Sequence, residues 1–300
     1  MSGRLSRYLA FYGHALRLGV RHVALHGASL GLRKTLGKLF QPINAVTRYP
    51  EYDAFLSILD SEARPGPGTR LLDLGGPKPF PLYLADRRGV TAVLTDINAA
   101  NYADYEAMRA SAGPRLRERV SFAEMDARAI PHADASFDLV LSMSVIEHIE
   151  GEAGDARALG EMWRVLKPGG LLVVSVPYGS RFVSQLRDDL SYFENAGGAA
   201  TPRFFQRIYD AAALARAVPD HVAPHLAARR FVLRTRPRLT RAYARLGLDA
   251  RALLGFASPL LAAALTRTAG AFETSVERYG DRCRTDDIYA DAVLAWRKPS

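Results

Sequence analysis

Between residues 70 and 176 the sequence alternates short apolar runs with helical stretches, and that rhythm leaves few folds open. Arg70–Leu74, Val90–Thr95, Val120–Met125, Asp138–Met143 and Leu171–Val176 read as strands one to five. Phe80–Asp86, which Pro81 can open, Ala99–Ala110 and Glu152–Leu166 have helical patterning between them. Ala156, Leu159, Trp163 and Leu166 form an apolar side on the last of these, and Lys167-Pro168-Gly169-Gly170 stops it. Near-continuous apolar strands separated by helices predict an α/β fold, a mostly parallel, doubly wound sheet with helices on both faces.

The run RLLDLGGPKPFP, Arg70–Pro81, carries the first chemical signal. Its strand holds Asp73 and breaks into Gly75 and Gly76, which puts a carboxylate and backbone N–H groups at the mouth of the sheet. Asp96 ends strand two and Asp126 ends strand three. Asp96 stands where a ribose-reading carboxylate is expected, and ionised oxygens bond vicinal hydroxyls well. Each aspartate alone is more often a turn or cap residue. Three in register after successive strands favour a ligand site.

Four segments resemble, in order, the motifs of class I S-adenosylmethionine-dependent methyltransferases, especially the small-molecule type that includes ubiquinone-biosynthesis enzymes. They are DLGG, LTDIN, MDARAIPHADASFDLVLSMSVIEHI and EMWRVLKPGGLLVVSVP; DAVLAWRKP resembles the family's final antiparallel strand. The resemblance covers about Leu71 to Val176. It implies a Rossmann-like, seven-stranded sheet with S-adenosyl-L-methionine lying across strands one to four. By that match Asp73, Gly75 and Gly76 meet the methionine end, Asp96 the ribose, and Asp126 with Ala127 the adenine, with Ile97 a further cofactor-binding position. Ser142 and Met143 would face the methionine moiety.

The family's usual first motif is Asp-x-Gly-x-Gly-x-Gly, whereas this chain runs Asp73-Leu74-Gly75-Gly76-Pro77-Lys78-Pro79. Two prolines remove two N–H donors and stiffen the loop. Displacement at a sulfonium needs alignment and dryness, and a base only where the acceptor must lose a proton. His148, Glu147 and Tyr178 are the candidate catalytic residues. The alternative for His148 is a locally bonded helix-end histidine. Some relatives carry Glu-x-x-Glu-His and bind Mg²⁺; Ser144-Val145-Ile146-Glu147-His148 lacks the first carboxylate, so no metal is expected. Asp138 reads as a turn residue remote from the site, and Trp163 as core.

The chain has 300 residues and a single cysteine, Cys283, which excludes an internal disulfide or thiolate metal cluster and suits a reducing, cytoplasmic compartment. No run reaches the roughly 18–20 apolar residues of a membrane span. The longest, Leu253–Leu265, is broken by Ser258 and Pro259, so a soluble chain is expected. Net charge is +9, and residues 1–50 contain eight basic residues and no acid. A second basic cluster runs from Arg229 to Arg245.

Residues 1–62 are expected to form a basic, largely helical N-terminal arm. Leu5, Leu9, Tyr12, Leu16, Val20 and Val23 form its apolar stripe, with Arg4, Arg7, His14, Arg17 and Arg21 roughly opposite and Phe11 intruding among them. Three readings stay open: a helix capping the core, a helix lying on anionic membrane, or a transit peptide. Residues 63–300 form the methyltransferase-like domain, with a cofactor half at 69–177, a helical insertion at 178–287 and a last strand at 288–298. Within the insertion Arg203–Val218 and Arg238–Gly270 read as helices and Ala228–Arg234 as a strand.

The function expected is methyl transfer to a small-molecule or lipid-like acceptor, with Tyr49, Tyr52, Tyr178, Phe182, Phe204 and Phe205 available to line an apolar pocket. Peripheral contact with anionic membrane through the arm goes with it. The alternatives are an RNA or protein methyltransferase using the basic flanks, or a non-catalytic domain that binds membrane or a partner. The flanks lack interleaved aromatics and any RNA-binding module, which argues against nucleic acid. A nicotinamide-dependent oxidoreductase would need Gly-x-Gly-x-x-Gly in the first turn, which Gly75-Gly76-Pro77 does not supply.

Overall fold

The computed structural model describes residues 3–30, 49–187, 203–233, 267–268 and 290–300. Two helices come first, α1 (Gly3–Leu30) and α2 (Tyr49–Ile58), the second extended by a wider turn through Leu59–Ala63. Then follow β1 (Arg70–Leu74), α3 (Pro79–Arg88), β2 (Thr91–Asp96), α4 (Tyr102–Ser111), α5 (Pro114–Arg119) and β3 (Val120–Glu124). β4 (Phe137–Met143), α6 (Gly154–Val165) and β5 (Leu166–Tyr178) complete the alternation. After it come β6 (Val183–Arg187), β7 (Arg203–Ile208), α7 (Ala211–Ala217), β8 (Leu226–Leu233), β9 (Arg267–Thr268) and β10 (Ala290–Arg297).

Among the described residues, seven strands form one sheet in the order β3-β2-β1-β4-β5-β10-β8, and the two-residue β9 pairs with the outside of β8. The first five are mutually parallel, and β10 runs antiparallel between β5 and β8. This is the Rossmann-like sheet expected from the sequence. Parallel register brings the C-terminal ends of β1, β2, β3 and β4 to one edge: Asp73 lies beside Leu94 and Leu141, and Asp96 beside Glu124. At the opposite edge Asp138 accepts from the Arg70 backbone N–H at 2.8 Å and from Lys167 Nζ at 2.8 Å. It pins the starts of three strands together, far from the site.

Leu72, Leu74, Val140, Leu172 and Val174 face α6 and α7, and Trp163 is buried there as expected of a core residue. Leu71, Leu94, Leu139, Leu141 and Val173 face the other layer, which α1, α2 and α3 cover with Tyr8, Phe11, Tyr52, Phe55 and Phe80. The N-terminal arm therefore shares a hydrophobic core with the sheet, and α1 is a capping helix. Its buried stripe is not the one the spacing suggested. Tyr8, Phe11, Tyr12, Ala15, Leu18 and His22 are buried, whereas Val20 is 60% exposed. Phe11 wins the inner face because it packs on Tyr52, Phe80 and Tyr83 at ring separations of 4.5, 5.9 and 5.6 Å. Burying such a ring is worth roughly 1.5–3 kcal/mol, and the aromatic contacts add to it.

Other sequence expectations shift in detail. α3 opens at Pro79 rather than Pro81. Lys167–Gly170 does not only end a helix: it forms the bulged start of β5, where Gly169 and Gly170 exchange backbone bonds with Lys298. Arg203–Val218 divides into β7 and α7, because Arg203–Ile208 pairs antiparallel with β6 and Asp210 caps a new helix by accepting from Ala213 N–H. The described part of the 178–287 insertion is thus mostly strand. Of Arg238–Gly270 only Arg267 and Thr268 are described, and they pair as a strand rather than a helix. The rest of that segment, Leu253–Leu265, Arg234–Arg245 and Cys283 lie outside the described residues.

Candidate active site

Three strand ends and the turn after β4 build the candidate site. Asp73 closes β1 with its side chain buried, and Lys78 folds back so that its Nζ donates to Asp73 Oδ2 at 3.0 Å. The same ammonium donates to Thr95 O at 2.6 Å and sits over the Tyr105 ring, 5.4 Å from its centroid. Burial pushes the Asp73 carboxyl above its ordinary range, and the Lys78 charge pulls it back down. Gly75 has φ +69 and donates to Thr95 O at 3.2 Å. A Cβ on Gly75 would lie 2.9 Å from Val145, and one on Gly76 would lie 2.8 Å from Asp73 Oδ1. Both positions need glycine for close packing, and only the first for its backbone angle.

Asp96, half-buried at the end of β2, accepts from Asn98 N–H at 2.9 Å, Asn101 Nδ2 at 3.2 Å and the Tyr105 hydroxyl at 2.8 Å. An ionised carboxylate has about four acceptor sites, so one remains for a ligand hydroxyl. Ile97 beside it is 65% exposed. Met125 N–H donates to Asp96 O, tying the end of β3 to that of β2. Asp126 itself turns to Arg128, which reaches both its oxygens at 2.6–3.1 Å. Hydrogen bonding by Arg128 holds the Asp126 carboxyl below its usual range. Ala127 is buried next to it. Asp73 and Asp96 are joined through Lys78 and Tyr105, whereas Asp126 is engaged by its own neighbour Arg128.

Beyond β4 the chain turns sharply at Ser144, whose φ of +52 is costly for a serine. Its N–H donates to Ser175 Oγ at 3.0 Å, and its Oγ donates to Glu51 Oε1 at 2.9 Å. Ser175 Oγ donates to the same oxygen at 2.6 Å. Glu51 comes from α2 and is fully buried. Met143 packs beside Gly76, and Ser142 Oγ is buried with no hydrogen-bond partner among the described residues.

His148 lies on a short turn, Ile146–His148, where its Nδ1 is 2.7 Å from Phe205 O. A carbonyl only accepts, so Nδ1 carries the hydrogen and Nε2 carries the lone pair of the neutral ring. Glu147 is buried, with Oε1 3.8 Å from His148 Nε2. Arg207 on β7 clamps the turn, donating to Ile149 O at 2.6 Å and to Gly151 O, while Tyr209 donates to Asp155 Oδ2 at 2.7 Å. Tyr178 is placed differently from the other two candidates. It is buried against Phe231, with ring centroids 4.8 Å apart, in the core layer under α7. Of the aromatics offered as pocket lining, Tyr52 is core, Phe205 packs on His148 at 5.0 Å and Phe182 is exposed. Among the described residues no group of three or more His, Cys, Asp or Glu is arranged to hold a metal ion.

Residues 72–174 match a protein family described as "Methyltransferase domain". By that match the segment is a methyltransferase domain. It is similar to the ubiquinone biosynthesis O-methyltransferase of Brucella anthropi, with 33% identity over 37% of this chain. It is also similar to the demethylmenaquinone methyltransferase of Beutenbergia cavernae, with 36% identity over 36% of the chain. The chain spans less than half the length of these curated relatives, 42% and 41%. In three dimensions it is similar to an S-adenosylmethionine-dependent methyltransferase of Methanosarcina mazei, at TM-score 0.50 and 15% identity. That likeness covers 81% of this chain and 97% of the other, and it concerns the fold. The residues that reasoning from sequence passed over are Lys78, Tyr105, Arg128, Ser175, Glu51 and Arg207. Only Lys78 carried a signal, a lone charge between two prolines.

Proposed function

We propose that this protein transfers the methyl group of S-adenosyl-L-methionine to a small-molecule or lipid-like acceptor. The observation that carries the reading is the pair Asp73 and Asp96 at adjacent strand ends, linked to each other and backed by glycines that admit no Cβ. The residues present suit the cofactor chemically. Asp96 keeps an acceptor site for a ribose hydroxyl, and Ser142 Oγ is a buried hydroxyl still able to bond. Gly75 and Gly76 let backbone approach closely, and Asp126 and Ala127 follow β3 where an adenine would end.

When bound, the cofactor supplies an electrophilic methyl group on a sulfonium. Asp96 orients it by hydrogen bonding, Asp73 anchors the loop beneath it through Lys78, and the aromatic cover from α1 and α2 keeps water from the sheet. His148, with its basic nitrogen fixed as Nε2, takes the acceptor's proton where the acceptor is an O–H or N–H group. Glu147 beside it steadies the resulting imidazolium. Tyr178, packed in the core under α7, is left as support for the floor of the site.

One observation favours a lipid-like acceptor met at a surface. Arg17, Val20, Arg21, Ala24 and Leu25 are exposed along one face of α1, with Val20 60% and Leu25 65% accessible. A stripe that mixes cations with apolar side chains suits peripheral contact with anionic lipid. Calorimetric titration with S-adenosyl-L-homocysteine, followed by radiolabelled methyl transfer to quinol-like and lipid extracts, tests the reading. Absence of binding at millimolar ligand refutes it.

A further inference from the structure

Lys78 stands between two prolines in the loop where the domain's relatives place glycines, and no reading of the site from sequence gave it a task. Its ammonium is buried and fully engaged. It donates to Asp73 Oδ2 at 3.0 Å and Thr95 O at 2.6 Å, and its remaining side faces the Tyr105 ring. Tyr105 is itself held by stacking on Phe122, with ring centroids 5.3 Å apart and planes 17° apart, and its hydroxyl donates to Asp96 Oδ2 at 2.8 Å. Thr95 Oγ1 closes the group by donating to Asp73 O at 3.0 Å. One cation thus touches the end of β1, the end of β2 and the side chain that steers the carboxylate on β2.

The loop gives this connection a purpose. Pro77 and Pro79 have no N–H, and the Gly75 N–H is committed to Thr95 O. A ligand in this crevice therefore relies on the Asp96 carboxylate and its orientation more than on loop amides, with Asp73 buried beneath Lys78. We infer that Lys78 is a positioning residue for the cofactor: it staples the proline loop to β1 and β2 and, through Tyr105, sets the oxygen of Asp96 that meets the ribose. The inference rests on the methyl-transfer reading and adds to it a residue that contacts neither ribose nor methyl. Without Lys78, Asp73 would be a buried carboxylate with no cation beside it, and burial already pushes its carboxyl above the ordinary range.

The test uses the full chain with Lys78→Met, Lys78→Arg, Tyr105→Phe and the Lys78→Met/Tyr105→Phe double variant. Affinity is measured by calorimetry for S-adenosyl-L-homocysteine, for 5′-methylthioadenosine and for its 2′-deoxy analogue. Lys78→Met is expected to weaken the homocysteine ligand by roughly ten- to a hundred-fold, the value of a charged hydrogen bond. It should also erase most of the preference for the ribose over the 2′-deoxy ligand. Tyr105→Phe should lose the same preference, and the double variant should lose no more than the worse single, because both act on Asp96. Retained affinity overturns the inference, and so does weakened affinity with the ribose preference intact, which is the result of mere destabilisation. Tyr105→Phe removes one hydroxyl and carries the test where Lys78→Met does not fold. Wild-type protein that binds none of the three ligands overturns the methyl-transfer reading itself, whereas wild-type binding with unaffected variants overturns only the role of Lys78.

Discussion

The imidazole of His148 donates through Nδ1 to the carbonyl of Phe205, 2.7 Å away, so a strand far along the chain fixes which nitrogen of that ring is basic. His148→Gln keeps a side chain of similar reach but has no proton-accepting nitrogen. For an O–H or N–H acceptor, kcat is expected to fall by about 10²- to 10⁴-fold. Affinity for S-adenosyl-L-homocysteine should be unchanged. Steady-state rates beside calorimetry check both halves, and an equal loss in each would move His148 into the cofactor site.

Arg207 holds the turn that carries His148, through Ile149 O and Gly151 O. Arg207→Met keeps the apolar stem and removes those donors, leaving two carbonyls and the nearby Asp155 poorly served. A loss of roughly 1–3 kcal/mol in urea-unfolding stability is expected. The rate should drop further than stability alone explains, because the base is no longer held, and a kcat defect that persists well below the melting transition is the sign to look for.

Asp96→Asn preserves size and removes the charge. Three donors converge on this carboxylate, and the amide cannot accept from all of them. S-adenosyl-L-homocysteine is expected to bind roughly 10- to 100-fold more weakly. Asp126→Asn should cost less, because Arg128 already occupies that carboxylate. Reversed magnitudes in a side-by-side titration would show that adenine, not ribose, anchors the ligand.

His14 docks α1, with Nε2 3.2 Å from Asp86, and burial lowers its ring from the ordinary 6.5 to about 4. At pH 7 the ring is neutral in both folded and unfolded chains. As pH falls below 6.5 the unfolded chain takes up a proton that the folded chain refuses, so stability drops until about pH 4 and then levels. The drop is worth roughly 3 kcal/mol. Urea midpoints at pH 7 and pH 4.5 should differ much less in His14→Gln than in the wild type.

Most of the sheet was legible because strands buried on both faces leave near-continuous apolar runs, interrupted only by Asp73 in Leu71–Leu74 and by Ser175 in Leu171–Val176. The order Asp73, Gly75, Gly76 and Asp96 was legible because each lies where a strand ends. What escaped were side chains whose partners are distant in sequence. Glu51 meets Ser144 and Ser175 only once α2 lies over the sheet, and Arg207 meets the β4 turn only once β7 pairs with β6. Phe204, Phe205 and Ile208 fit helical spacing as well as strand alternation, so pairing decided the outcome. On α1 the spacing pointed to a neighbouring stripe, and ring packing of Phe11 on Tyr52 decided against it.

β10 lies between β5 and β8 and supplies hydrogen-bond partners to both. A fragment built on the cofactor half alone, ending near residue 177, would leave β5 with a bare row of amides and carbonyls along an apolar ribbon. Such ribbons recruit one another. Expression of the truncated piece should therefore yield assemblies that sediment, whereas a co-expressed segment beginning at Ala290 would be drawn into the gap.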